Sequence, residues 1–207
     1  MTQVLIVEDS KIIREAIAGK LRETGEYEIV AELANAANAD IVCMRGNIGL
    51  ILMDVCTADD ESGLQAAAKI KKHAPQIRII IMTSMPEHSF IRKARACGCD
   101  SFWYKDDSAG DLLEICRRTV AGESVYPAST PPLMIGCTDS SDLTDRELDV
   151  IRALTLGYKY EEIAKKLSIS TNTVKYHVKN LLQKTGYRNA TQLVAEVVEK
   201  RLILPKY

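Results

Sequence analysis

Five short apolar runs recur within the first 105 residues: Val4–Val7, Glu28–Leu33, Leu50–Met53, Ile77–Met82 and Ser101–Tyr104. Helically spaced stretches separate them, such as Ile13, Ile17 and Leu21, or Leu64, Ala67, Ala68 and Ile70. Another, Leu112, Leu113, Ile115, Cys116 and Val120, follows the last run. Short runs without polar alternation suit strands covered on both faces. Strand alternating with helix five times therefore predicts a doubly wound α/β fold, a five-stranded parallel sheet with helices on both sides. Right-handed crossovers leave that layout little freedom.

The ends of these runs carry the chemistry. Gly49-Leu50-Ile51-Leu52-Met53 runs directly into Asp54, and Val4-Leu5-Ile6-Val7 into Glu8-Asp9. Open α/β sheets place their ligand crevices at the carboxyl ends of strands, so three carboxylates would share one rim. Such a group repels itself unless a divalent cation sits in it, and Mg²⁺ suits a site of carboxylates, waters and a phosphate oxygen. Thr83 and Lys105 close two later runs and would project from the same rim. A carboxylate near Mg²⁺ can attack a phosphoryl group, while a lysine, a hydroxyl and the cation share the charge on the transferred oxygens. Taken singly, each residue is an ordinary strand-end cap or surface charge. The constellation comes from their joint spacing.

From Gly122 to Ser141 the pattern stops, in a turn-rich stretch holding Pro127, Pro131 and Pro132 that reads as a linker. Helical signals then resume. Thr144-Asp145-Arg146-Glu147 is a capping box, followed by Leu148, Ile151, Leu154 and Thr155 at helical spacing, with Gly157 as a stop. A short helix over Glu161–Leu167, a longer one over Thr171–Lys184 and a last one over Thr191–Val198 complete a small all-α, four-helix unit. Its middle pair, joined by a tight turn, describes a helix-turn-helix. In the longer helix Val174, Val178, Leu181 and Leu182 form the buried stripe. Asn172, Lys175, Tyr176, Lys179 and Gln183 face outward, a pattern that alone suits an ordinary solvated face and also a helix able to enter the DNA major groove. The expected domains are therefore 1–121, a linker over 122–141, and 142–207.

Charge agrees with this division. Residues 1–141 hold 15 Lys+Arg against 20 Asp+Glu, and residues 142–207 hold 12 against 8, so a net charge of −1 hides an acidic front and a basic back. The N-terminus lacks the charged and apolar regions of a signal peptide, and no run approaches the roughly 18 apolar residues of a membrane span. The six cysteines lack CxxC pairs and zinc spacing, as expected of reduced thiols in a cytoplasmic protein.

Glu8-Asp9, Asp54, Thr83 and Lys105, with Phe102 three before the lysine, resemble the receiver domain of two-component response regulators, a flavodoxin-like fold. The resemblance covers residues 1–121. It implies phosphoryl transfer from a sensor histidine kinase to Asp54. Mg²⁺ would be held by Asp9, Asp54 and the backbone carbonyl of Cys56, with Glu8 acting through water. Thr83 and Phe102 would be the switch pair. The receiver would promote only its own phosphorylation and dephosphorylation. A phosphatase of related fold needs a second aspartate two residues after the nucleophile, where this chain has Cys56. Two departures stand out. The loop after Asp54 is one residue longer than usual, lacks proline and is rich in acid, which would leave the cover over the site looser. Lys105 is followed by Asp106 rather than the common proline.

Leu-Thr-Asp-Arg-Glu-Leu-Asp-Val-Ile, Glu-Ile-Ala-Lys-Lys-Leu-Ser-Ile-Ser and Thr-Val-Lys-Tyr-His-Val-Lys-Asn-Leu-Leu-Gln-Lys-Thr-Gly, within 142–205, resemble the LuxR-type helix-turn-helix. With the receiver in front, the chain resembles the NarL/FixJ class of response regulators. That likeness puts Lys175, Tyr176 and Lys179 at base-reading positions and Ser170, Thr171 and Thr173 where DNA phosphates are met. It makes the last helix a homodimer contact on a two-fold related DNA site, an interface that Leu193, Val194, Val197 and Val198 would partly serve. The family has small polar residues where Tyr158-Lys159-Tyr160 precede Glu-Ile here. The expectation is a cytoplasmic transcriptional regulator switched by phosphorylation. The alternative is a phosphorylation-independent DNA binder whose receiver serves only to dimerise.

Overall fold

A computed structural model describes residues 1–105 and 111–203. Asp106 lies outside the described residues, and so does the end of the chain from Leu204. The chain divides into two compact units, Met1–Ser84 with Phe90–Ala128, and Met85–Ser89 with the residues from Ser129 onward.

The first part alternates strand and helix as the apolar runs predict: β1 (Thr2–Val7), α1 (Lys11–Glu23), β2 (Tyr27–Leu33), α2 (Ala39–Arg45), β3 (Leu50–Asp54), α3 (Gly63–His73), β4 (Arg78–Thr83), α4 (His88–Ala96), β5 (Ser101–Tyr104) and α5 (Leu112–Val120). The five strands form one sheet in the order β2-β1-β3-β4-β5, every pair parallel. The central strands β1, β3 and β4 supply an unbroken row of fully buried side chains, which is why their sequences show no polar alternation. Val4, Ile6, Leu50, Leu52, Ile80 and Met82 pack with Ile17, Leu21, Leu112 and Ile115 of α1 and α5. The residues between them, including Leu5, Ile51, Met53, Ile79 and Ile81, are equally buried and face the other side. The strand order reverses between β1 and β3, and this switch point opens the crevice.

Among its described residues the second part holds four α-helices, α6 (Asp145–Thr155), α7 (Tyr160–Lys166), α8 (Thr171–Thr185) and α9 (Ala190–Glu199). Thr144 and Glu147 form the predicted capping box. Asn189 caps α9 by accepting from the Gln192 N–H at 2.9 Å. α8 ends at Gly186, whose φ of 78° is the left-handed conformation favoured in glycine. On α8, Val174, Val178 and Leu181 are buried as expected, but Thr185 rather than Leu182 completes the stripe. Its hydroxyl donates to the Leu181 carbonyl, which satisfies the buried polar group.

The end of the stretch expected to be linker carries a short hairpin. β6 (Met134–Ile135) and β7 (Thr138–Asp139) pair as a small antiparallel hairpin. Ile135 is fully buried in the same cluster as Leu148, Ile151, Val174 and Leu193. Two-residue strands carry no periodicity, so composition alone reads them as loop.

Candidate functional site

The strand register builds the acidic rim. Val7 pairs with Met53, which sets Glu8 level with Asp54 at the ends of adjacent strands. Lys105 follows β5, and its N–H donates to the Thr83 carbonyl at 2.9 Å, so Thr83 and Lys105 lie side by side at the same rim. Ligand oxygens of Glu8, Asp9 and Asp54 all fall within 4.8 Å of one another. Glu8 and Asp54 are buried while Asp9 is exposed, so the group is open to solvent on one side. Lys105 Nζ lies 3.1 Å from Asp54 Oδ2 and also contacts Glu8. The structure thus brings together Glu8, Asp9, Asp54, Thr83 and Lys105. Phe102 lies inside β5, 1% exposed, with its ring 5.0 Å from that of Tyr104.

Electrostatics follows from this crowding. Burial pushes the Asp54 carboxyl up to about 7; Lys105 opposes the rise, and Glu8 and Asp9 add to it. The Lys105 ammonium is held above its ordinary value, because Asp54 and Glu8 outweigh the burial that acts the other way. One cation against three carboxylates leaves an excess of negative charge. A donor set made only of carboxylates, held this close, fits a hard divalent cation such as Mg²⁺.

Several supporting residues carry no local sequence signal. Arg14 donates to the backbone carbonyl of Glu8 and, at 3.4 Å, to that of Asp9. Its guanidinium also lies 3.8 Å from Glu32 of β2, but its contacts at the rim are to main-chain atoms, which no sequence pattern marks. The loop after Asp54 is pinned rather than loose, contrary to expectation. Buried Thr57 donates to the Glu61 carbonyl at 2.7 Å and accepts from the Ala36 N–H at 3.0 Å. The Ala58 N–H donates to the Ala34 carbonyl at 3.0 Å, and Asn35 donates to Asp59 at 2.8 Å. Cys56 and Ser62 close a bridge across the loop. Asp59, whose φ of 57° is left-handed, folds the chain back within the loop. Gly63 then starts α3 so close to β3 that a Cβ there would lie 1.8 Å from the Asp54 carbonyl oxygen.

In the second unit, Lys175, Tyr176 and Lys179 are exposed on α8 together with Asn172 and Gln183. Tyr176 is 61% exposed, more than is usual for a tyrosine. Ser170 is the N-cap of α8 and accepts from the Thr173 N–H at 3.0 Å, and the two hydroxyls lie 2.8 Å apart. Thr171 begins the helix beside them, so the three residues ring its N-terminus. On α9 the aliphatic residues divide between core and surface. Leu193 and Val197 are fully buried in the unit's own core, while Val194 and Val198 are half-buried. Both faces of a short helix look alike when every third or fourth residue is aliphatic.

A parallel sheet with a carboxylate-and-lysine rim, followed by a helix-turn-helix with a basic outer face, defines a signal-receiving regulator that acts on DNA. The chain matches the response regulator receiver domain over residues 4–117 and the luxR family of bacterial regulatory proteins over residues 141–197. It is 32% identical over 209 residues to the response regulator protein VraR of Staphylococcus epidermidis, covering 97% of this chain and 98% of that one. The VraR protein of Staphylococcus aureus matches to the same extent. Among solved structures, the RcsB response regulator of Salmonella typhimurium shares the fold with a TM-score of 0.58 at 21% identity, covering 95% of this chain and 97% of that one. RcsB of Salmonella enterica serovar Typhimurium, bound to a promoter with the phosphomimetic BeF3−, gives 0.62 at 21% identity and the same coverage. The chain belongs to the two-component response regulators of the NarL/FixJ class, a receiver joined to a LuxR-type DNA-binding domain, and is a phosphorylation-regulated transcription regulator rather than a metabolic enzyme. No helix among the described residues is long and apolar enough to cross a membrane.

Proposed function

We propose that Asp54 is the phosphoacceptor and that a sensor histidine kinase is the donor. The observation that carries this is the Lys105–Asp54 pair inside a three-carboxylate group, all at the carboxyl rim of one sheet. The Asp54 carboxylate attacks phosphorus, the bond to the donor histidine breaks, and Lys105 with the Thr83 hydroxyl takes up charge on the transferred oxygens. Asp9, Asp54 and the Cys56 carbonyl would hold Mg²⁺, with Glu8 acting through water, and the ion would supply the remaining charge neutralisation. Only this self-directed chemistry is assigned to the receiver. Thr83 and Phe102 then report the new dianion to the rest of the receiver.

On DNA, Lys175, Tyr176 and Lys179 read bases in the major groove, and Ser170, Thr171 and Thr173 set the N-terminus of α8 against a phosphate. Two copies bind a two-fold related site, in the cytoplasm, with Val194 and Val198 of α9 at their contact. The rival is a DNA binder indifferent to phosphate, whose support is the altered loop after Asp54, and Mg²⁺-dependent labelling by acetyl phosphate separates the two. A gel-shift titration with acetyl phosphate and Mg²⁺ tests the switch. Wild type gains DNA affinity with the donor and Asp54→Ala does not. Equal affinity for both proteins, with and without donor, defeats it.

A further inference from the structure

Beyond α5 the chain does not leave the receiver at once. It runs back along β5, the edge strand, and is bonded to it twice. The Phe102 N–H donates to the Val125 carbonyl at 2.8 Å, and the Val125 N–H donates to Ser101 Oγ at 3.0 Å. Ser101 Oγ lies 2.7 Å from Thr119 Oγ1. The Thr119 hydroxyl gives its single proton to the Ile115 carbonyl of α5, so Ser101 must be the donor between the two hydroxyls. The proton order is therefore fixed from Val125 through Ser101 and Thr119 to α5. Ser101 and Thr119 are fully buried.

Tyr126 completes the arrangement. Its ring stacks on that of Phe102 with centroids 6.3 Å apart and 29° between the planes. The Arg95 guanidinium of α4 lies 4.0 Å from the centre of the same ring. The Tyr126 hydroxyl donates to the Cys99 carbonyl, in the turn between α4 and β5, at 2.8 Å. One side chain from the stretch expected to be linker thus touches α4, the following turn and the aromatic residue assigned to the switch.

We infer that Tyr126 is a third member of the switch, a latch that holds the start of the linker on β5 and opens when phosphorylation displaces Phe102. The inference rests on the phosphoacceptor reading above. Phe102 is 1% exposed and packed against the Tyr126 ring, and a close-packed interior has no space into which one ring moves without the other. The latch consists of a few hydrogen bonds and a partly exposed cation–π contact, a weak assembly that a local rearrangement can open. Its opening releases residues 122–126, and five extended residues add about 17 Å of reach to whatever follows. Tyr126 is a positioning residue, since it touches no reacting atom.

Hydrogen exchange in the full-length chain tests this, read at the Phe102 and Val125 amides with and without acetyl phosphate and Mg²⁺. Intact mass in the same samples reports phosphorylation. Phosphorylated wild type exchanges at both amides roughly tenfold faster or more, as expected when local hydrogen bonds open. Tyr126→Ala exchanges that fast without phosphate and gains little more with it, and its unphosphorylated DNA binding approaches that of phosphorylated wild type. Arg95→Ala, on an exposed side chain, gives the same direction without a threat to folding. Phosphorylated wild type with unchanged exchange overturns the latch alone, and so do variants that exchange like unphosphorylated wild type. Wild type that takes no phosphoryl group overturns the phosphoacceptor reading and the latch with it.

Discussion

The Lys105 ammonium reaches across the end of β4 to stand 3.1 Å from the Asp54 carboxylate, both side chains less than a tenth exposed. β3 and β5 are not neighbours, so only a long side chain at the end of β5 spans the gap. Removing it as Lys105→Met has opposite effects on two quantities. Mg²⁺ affinity rises, because a positive charge leaves the edge of the site. Phosphorylation by acetyl phosphate slows by about a hundredfold, the usual cost of deleting one preorganised charge-stabilising group. Calorimetric Mg²⁺ titration and intact-mass time courses read the two. A variant that loses Mg²⁺ affinity would show that Lys105 acts as structural support instead.

The raised Asp54 pKa predicts a pH dependence with a definite sign. Its folded value of about 7 lies above that of the unfolded chain, so the folded state binds more protons between about pH 4 and 7. Stability of the metal-free protein therefore falls as pH climbs through that window. Asp54→Asn removes that part of the slope and leaves the protein more stable than wild type at pH 8. Urea melts at pH 5 and pH 8 measure it, and equal slopes for the two proteins contradict it.

Asp100 has the opposite sign. Burial pushes its carboxyl up, but bonds from Lys71, the Ile79 N–H and Arg78 outweigh this and hold it below the ordinary carboxylate range. The stability it contributes is full above the unfolded pKa and is lost as pH falls through the folded one. Asp100→Asn costs about 2 kcal/mol at neutral pH, because the mostly buried Lys71 ammonium loses its partner. The deficit shrinks in acid, and a constant deficit from pH 7 to pH 3 would refute the assignment.

Gly63 sits where a side chain has no space beside the Asp54 carbonyl. Gly63→Ala must push α3 away from the end of β3 and so disturb the phosphoacceptor itself. Acetyl phosphate labelling falls by at least about tenfold while the helical second unit keeps its thermal transition, since a misplaced reacting group is costly. Labelling at the wild-type rate would mean that the strand end tolerates the shift.

On α8, Lys179→Ala weakens specific DNA binding by about 1–3 kcal/mol and relaxes the preference at one base-pair position. Ser170→Ala costs about 1 kcal/mol of stability through the lost cap, and weakens binding alike on all sequences. Binding to a randomised DNA pool separates the two patterns.

The doubly wound sheet was legible because β1, β3 and β4 are buried on both faces and therefore uniformly apolar. The acidic rim was legible because each of its members closes such a run. What stayed hidden depends on partners far apart in sequence or on main-chain atoms. Arg14 holds carbonyls, Thr57 ties two loops together, and Tyr126 meets Phe102 only because the chain doubles back. The longer loop after Asp54 reads as slack by composition, yet Asp59 and Asn35 pin it. The division of aliphatic residues on α9 between core and surface also depends on packing that no helical wheel contains.

The hairpin that buries Ile135 bears on how the DNA-binding half can be isolated. Lys200 at the end of α9 donates to the Met134 carbonyl at 2.7 Å, and a Cβ on Gly136 would collide with the Thr185 carbonyl at the end of α8. A polypeptide begun at residue 142, where helical periodicity resumes, would expose the underside of α8 and α9 to water and melt well below one begun near residue 131. A self-sufficient DNA reader in this protein therefore begins about fourteen residues before its first α-helix, which starts at Asp145.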